Sequence, residues 1–442
     1  MFKKLISLVV TAAMVVTMST TAFAFKNVTK AAPDPHMEKF TLTYATTSLG
    51  VTNDGSATDK VLKDTVAYYE SAFKKLYPNA TLQLFNLPGN KYEDLFKAKY
   101  ASGTLEDVIH MNVSNIKSYM KAGLLVDLSG QPWVKNALPA AKITCTYGGK
   151  WYTSPESTTV QGVFYNKKLF KLAGISGAPK TWSALLKDCE LLKAKGITPF
   201  IGGFKDNWVL GMTFQNGIMA SFMGTKAHPN ISIDYYNGTK KVGGPEMKDA
   251  LQKFSLLITK GYFNKDCLSI GWDQSRPAFA QGQGAMLFQG SWLPGMLPAE
   301  NPMDLGFFPI PNANGTQLLT AVVDSHWGVN AKTKHLQAAK DLVNIMASKK
   351  GIQVRSNNTQ LCGYKGYDIK QNIPVMLDVA KQLDSTGTVG AQLDYTPTSV
   401  QNKISLEILT KLAAGQPLQD SDMTDLQKLF VQDKSTVVPP GK

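Results

Sequence analysis

In FAQGQGAMLFQGSWLPG, residues 279–295, a tryptophan stands directly after a short apolar strand, on a turn of small residues. Core tryptophans usually sit inside strands or helices, and one on a strand-end turn is placed to meet something. The chemistry available to Trp292 is stacking, with the flat indole against a flat apolar ligand face. Carboxylates and amides nearby would take the ligand's polar edges. Gly290 would let backbone approach a ligand, and Ser291 would N-cap the helix behind the turn. Other polar and aromatic residues also stand at strand ends: Thr47 and Ser48 after a first strand, Asn112 at the end of a third, and Asp324, His326 and Trp327 after a strand over 318–323. In parallel sheets, groups beyond the carboxyl ends of strands face the ligand crevice.

The chemistry that the sequence lacks narrows the choice further. There is no G-x-x-x-x-G-K-[ST], no G-x-G-x-x-G after a strand and no G-x-S-x-G. Phosphate-loop, dinucleotide and hydrolase-elbow sites are therefore not expected. His36, His110, His228, His326 and His335 are not at ligand spacing with one another or with a cysteine, so no metal and no cofactor is expected. Carboxylates are numerous enough to leave a glycosidase acid–base pair open. Cys145, Cys189, Cys267 and Cys362 form no C-x-x-C; disulfides in an exported chain and buried free thiols both remain open. The 442 residues carry a net charge of +14, yet the lysines are scattered and Arg276 and Arg355 are the only arginines. That composition describes a solvated basic surface, not a nucleic-acid stripe, and no nucleic-acid partner is expected.

The elements that must position these residues follow from periodicity. Lys3 and Lys4, an apolar stretch over 5–16 and Ala22-Phe23-Ala24 predict a secretory signal over 1–24 with a flexible lead-in over 25–38. No cysteine follows the apolar stretch, so the usual bacterial lipid anchor is not encoded there. A strand over 40–45, a helix over 59–76, a strand over 80–85, a helix over 92–101 and a strand over 106–111 predict a mostly parallel sheet with helices on its faces. The pattern then restarts. Thr181 should cap a helix whose inner face is Leu185, Leu186, Cys189 and Leu192, ended by Gly196. Further helices are expected over 208–223, 245–260, 275–281, 334–348, 373–383, 397–414 and 421–432.

The stretch FYNKKLFKLAGISGAPKTWSALLKDCELLKAKGITPF, residues 164–200, resembles the family 1 extracellular solute-binding proteins, the maltose-binding-like receptors of ABC sugar importers. AKYASGTLEDVIHMN, AFAQGQGAMLFQGSW, GFFPIPN and LAAGQPLQDSDMTDLQKLF agree in order, so the resemblance spans about residues 40–430. It implies an α/β, two-lobed fold like that of periplasmic binding proteins. Each lobe would be a mostly parallel sheet flanked by helices, with the ligand in the hinged interlobe cleft. The first lobe would take 39–154 and 307–360, and the second 155–306 and 361–442, with hinges near 154–155, 306–322 and 362–366. The implied function is a secreted, monomeric receptor that binds an oligosaccharide, performs no chemistry and hands its ligand to ABC permease subunits. A secreted carbohydrate-active enzyme and a receptor for a non-sugar solute are the alternatives. The resemblance also implies cleft positions for Trp292, Trp208 and Tyr395, and Glu156 after the hinge proline would accept a hydroxyl. Asp206 would either cap the helix of Trp208 or bind. Trp182 and Asp107 match family positions that are structural.

Overall fold

The structure, a computed structural model, describes residues 35–46, 60–87, 92–112, 116–138, 141–225, 228–297, 303–356, 361–367, 369–370, 373–385 and 387–438. The expected signal segment and the residues Thr47 and Ser48 lie outside the described residues.

Twelve strands occur among the described residues: β1 (Thr41–Thr46), β2 (Thr81–Asn86), β3 (Val108–Asn112), the short pair β4 (Thr146–Tyr147) and β5 (Lys150–Trp151), β6 (Thr153–Asn166), β7 (Thr198–Phe200), β8 (Gly284–Gly290), β9 (Leu305–Phe308), β10 (Leu318–Val329), β11 (Leu361–Cys362) and β12 (Gly387–Val389). All but β4 and β5 join one sheet. Its path is β2-β1-β3-β10-β6-β8-β7, with β9 and β11 on β6 and β12 on β10. As the strand–helix alternation predicts, β1 is parallel to both β2 and β3. β7 and β8 are also parallel. Between these two parallel blocks run β6, of 14 residues, and β10, of 12, antiparallel to each other. At ~3.3 Å per residue β6 is roughly 45 Å long, enough to run through both lobes.

The cores divide along the same line. Phe164, Phe214, Phe254, Phe288 and Leu409 belong to the large second-lobe core. Tyr69, Phe73, Trp327 and Leu342 form one core of the first lobe, and Phe96, Ile109, Met111 and Tyr119 form another. The change of lobe falls between Trp151 at the end of β5 and Val160 of β6, and along β10 between Leu319 and Val323. Two stretches fall in the lobe opposite to the expected one. Phe307, Phe308 and Ile310 pack in the second lobe because β9 pairs with the far half of β6. Tyr364 packs in the first lobe, with its hydroxyl 2.7 Å from that of Ser154.

The periodic helices form where the apolar spacing predicts. Lys60–Leu76 buries Leu62, Tyr69 and Phe73. Trp182–Ala194 is capped by Thr181, whose hydroxyl accepts from the Ala184 N–H at 3.2 Å, and it buries Trp182, Leu185, Cys189 and Leu192. Asp107 accepts hydrogen bonds from the Thr43 N–H, the Thr43 hydroxyl and the Thr333 hydroxyl, fastening β1 to β3. All four cysteines are free thiols, and all but Cys362 are buried. Two expected helices contain wide turns: Thr213–Met219 interrupts the first, and Lys403–Ile408 the second, each as a π-helical stretch. β10 continues to Val329, well past the expected end at residue 323. Its pairing with β6 slips between Val323 and Ser325 and again between Ser325 and His326, which breaks the alternation that marks a strand.

Candidate functional site

The sheet register locates the cleft. β3 ends at Asn112, opposite Ser325 of β10, which in turn faces Ser157 of β6. β8 runs the other way and ends at Gly290, opposite Gln161 of β6. The carboxyl ends of the two parallel blocks therefore arrive at β6 from opposite directions, four residues apart, a gap of ~13 Å along the strand. The stretch between them, Ser157-Thr158-Thr159-Val160-Gln161, is buried and mostly polar. Ligands bind beyond the carboxyl ends of strands in open α/β sheets, and here two such edges face each other.

Trp292 follows β8 directly and is half-buried, packed against the second-lobe core. Its indole lies over Gly290, where any side chain would overlap the ring. Ser291 does not cap the next turn: the cap position is Trp292, which makes no side-chain cap bond. Instead the Ser291 N–H donates to the Val160 carbonyl at 2.8 Å, and its hydroxyl accepts from the Val160 N–H at 3.3 Å, tying the end of β8 to β6. Directly opposed residues of an antiparallel pair share a face. Gln161 therefore projects on the face of Gly290 and Trp292, and so does its other partner, Thr320. The Thr320 hydroxyl donates to the Asn216 carbonyl at 2.8 Å, which brings the π-helical stretch onto this face. Gln161 Oε1 and Asn216 Oδ1 are buried with no hydrogen-bond donor among the described residues. A buried acceptor left unpaired costs about 1–3 kcal/mol, so both favour a hydroxyl or water that donates to them.

Trp208 lies beyond β7, on the helix Asn207–Met212, and is 47% exposed. Because β7 and β8 are parallel neighbours, Trp208 and Trp292 leave the same edge of the second lobe. The Trp208 ring meets Trp272 edge-on at 5.8 Å, and the Arg276 guanidinium lies 5.3 Å from the Trp272 centroid. Asp206 makes no cap bond to the helix of Trp208; it accepts from the Trp272 N–H at 2.7 Å and so caps the neighbouring helix Trp272–Ala280.

Tyr395 lines a cavity of about 140 Å³ between the lobes. Ile116, Lys117 and Thr144 approach it from the first lobe, and Asp394, Tyr395 and Gln401 from the second. The Lys117 amine lies 5.6 Å from the Tyr395 ring centroid.

Three expected ligand residues are withdrawn into the first lobe. Glu156 is buried between Arg355 (Nε–Oε1, 2.8 Å) and His110 (Nε2–Oε2, 3.3 Å). Burial alone would raise its carboxyl, but Arg355 and His110 outweigh it and hold the group at about 2. His326 is fully buried, with Nε2 3.0 Å from the Val323 carbonyl and Nδ1 3.3 Å from Cys145 Sγ. Burial pushes its imidazole down to about 3, against the bond to Val323, so the ring is neutral. Trp327 packs in the first-lobe core against the rings of Tyr44 and His110. His326 and Trp327 are strand-interior residues because β10 runs on to Val329, and Glu156 is one because β6 begins at Thr153. Of the remaining expected residues, Asn112 is placed at the end of β3, and Asp324 at the irregular middle of β10. Sequence reasoning missed Lys117, Gln161, Asn216 and Asp394. The one available signal was the polar run STTVQ at 157–161, directly before the apolar GVFY of the same strand.

Two α/β lobes joined by long antiparallel strands, with a polar and aromatic cleft between them, define a hinged binding protein. The chain belongs to the family of bacterial extracellular solute-binding proteins, whose model matches residues 50–353. The multiple sugar-binding protein of Streptococcus mutans is 25% identical over 299 residues, covering 66% of this chain and 68% of that one. Among solved structures, a chitin oligosaccharide binding protein superposes with a TM-score of 0.77 at 24% identity, over 90% of this chain and 99% of the other. The binding protein RafE in complex with raffinose gives 0.72 at 22% identity, over 89% and 99%. No helix among the described residues is long and apolar enough to cross a membrane.

Proposed function

We propose that this protein is a sugar receptor of the bacterial cell surface, which binds an oligosaccharide and delivers it to the permease subunits of an ABC importer. The observation that carries this reading is the convergence of two parallel-strand edges on the polar middle of β6, with Trp292 and Trp208 at one edge and Tyr395 at the interlobe cavity. Aromatic faces match the C–H faces of pyranose rings, and amides and hydroxyls match their edges. The S. mutans multiple sugar-binding protein, the chitin oligosaccharide binding protein and raffinose-bound RafE support the same ligand class. Trp292 is the principal platform, Gly290 makes room for its ring, and Trp208 and Tyr395 extend the contact. Asn112 and Asp324 stand at the lips of the cleft. The protein acts as a monomer and leaves its ligand intact.

The test is a calorimetric titration of the mature protein with an oligosaccharide panel, followed by chromatography of the recovered sugars. Saturable binding with intact sugar is expected. Cleaved product would replace the receptor with an enzyme, and no binding across the panel would move the ligand outside the sugars.

A further inference from the structure

The interlobe cavity contains one amine and one carboxylate that are not paired with each other. Lys117, on the first-lobe helix Ile116–Lys121, is half-buried, and among the described residues no carboxylate reaches ion-pair distance of its amine. Asp394, on the second lobe, accepts one hydrogen bond, from Asn230 Nδ2 to Oδ2 at 3.3 Å; its Oδ1 has no protein donor among the described residues. Burial lowers the Lys117 amine from its ordinary value, and Asp394 pulls it back up. Neighbouring cavity walls desolvate the Asp394 carboxyl and raise it from its ordinary value, opposed by Lys117 and by the hydrogen bond from Asn230. Asp394 stays open to solvent at the cavity mouth, so water tempers that rise until a ligand displaces it.

We propose that Lys117 and Asp394 form a ligand-reading pair, one group from each lobe, that selects an uncharged polyhydroxylated ligand over a charged one. The inference rests on the sugar reading above and narrows it. A hydroxyl group can accept from the amine through its oxygen and donate to the carboxylate through its hydrogen, so a neutral sugar satisfies both sides at once. A uronate would gain at Lys117 and be repelled at Asp394, and an amino sugar would suffer the reverse. The cavity of about 140 Å³ sets the two charged groups among the apolar walls of Ile116, Ile143, Pro397 and Val437. Because the two groups belong to different lobes, a ligand that bridges them favours the closed arrangement.

The experiment compares the native protein with Lys117→Met and Asp394→Asn by calorimetry. The probes are raffinose, maltotriose and cellotriose as neutral trisaccharides, trigalacturonic acid as the acidic one and the fully deacetylated chitosan trimer as the basic one. The expected result is binding of at least one neutral probe, no measurable binding of the acidic or basic probe, and at least a tenfold loss of neutral binding in each variant. The groups that face Asp394 are Lys117, Tyr395 and Asn230. Native affinity should fall with falling pH as the Asp394 carboxyl takes up its proton, because protonation removes the acceptor, and that fall should be missing in Asp394→Asn. A purely structural role would not produce that difference in pH profile. Neutral binding undiminished in both variants, or a charged probe bound as well as its neutral counterpart, overturns the pair while leaving the sugar receptor standing. Failure of all five probes to bind the native protein counts against the sugar reading itself, and the pair falls with it.

Discussion

The Trp292 indole is folded over Gly290, so the two residues should behave as a unit. Trp292→Ala is expected to weaken binding of the preferred oligosaccharide at least tenfold, about 1.4 kcal/mol. Gly290→Ala should do the same without removing the ring, because its methyl group displaces the indole. Calorimetric titration of both variants checks this, and wild-type affinity in the two together would take Trp292 out of the site. Glu156 makes a different residue-scale prediction. Its carboxyl sits at about 2, below its ordinary 4.5, so it binds protons less readily folded than unfolded. The stability it contributes, about 3 kcal/mol, is present in full above pH 4.5 and is lost as pH falls from there towards 2. Urea midpoints at pH 7, 4 and 3 should show that loss in the native protein. In Glu156→Gln it should be missing, and the variant should already be weakened by about 3 kcal/mol at pH 7 because Arg355 and His110 lose the carboxylate between them. Trp292 was legible because its environment is local: a strand, a glycine and a turn. Glu156 was not, because what buries it is Arg355, delivered from a distant helix.

Elements follow the same division between local and distant causes. The helices Lys60–Leu76 and Trp182–Ala194 were legible because apolar spacing, the Thr181 cap and the terminal Gly196 are all written within one segment. The length of β10 was not, because its partners supply the regularity that its own bulged middle lacks. The π-helical turn at Thr213–Met219 was equally hidden, since it depends on Gly217 pressing against Phe288 and Ile310 of other elements. β6 is the element on which the two lobes depend, and Gly162 is its tightest point: a methyl group there would stand 2.5 Å from the Phe307 ring. Gly162→Ala should therefore lower stability by about 1–3 kcal/mol through overpacking at the junction of β6, β8 and β9. A lower urea midpoint with an unchanged slope is the expected signature. A midpoint equal to the native one would mean that Phe307 yields without cost.

At the scale of the molecule, the restart of the strand–helix pattern foretold two lobes, but not where the chain changes lobe, since β9 and β11 are assigned by their pairing with β6 and not by composition. The change falls between Trp151 of β5 and Val160 of β6, and within β10 between Leu319 and Val323, and these are the stretches that must flex if the lobes move. The proposed ligand would touch Trp292 and Asp394 on one side and Lys117 on the other, contacts that coexist only when the lobes are together. Binding should then shift the population towards a closed form, and the shift can be no larger than the difference in affinity between the two forms. Small-angle scattering should show a smaller radius of gyration with saturating oligosaccharide than without. Ligand at one hundred times its Kd should also stabilise the fold by about 2.7 kcal/mol, read as a higher melting temperature. At the same ligand concentration a tenfold weaker Trp292→Ala should keep most of the compaction but only about half of the stabilisation, about 1.4 kcal/mol. A ligand that raises the melting temperature but leaves the radius unchanged would show that the sugar binds one lobe alone, and that β6 and β10 hold the lobes fixed.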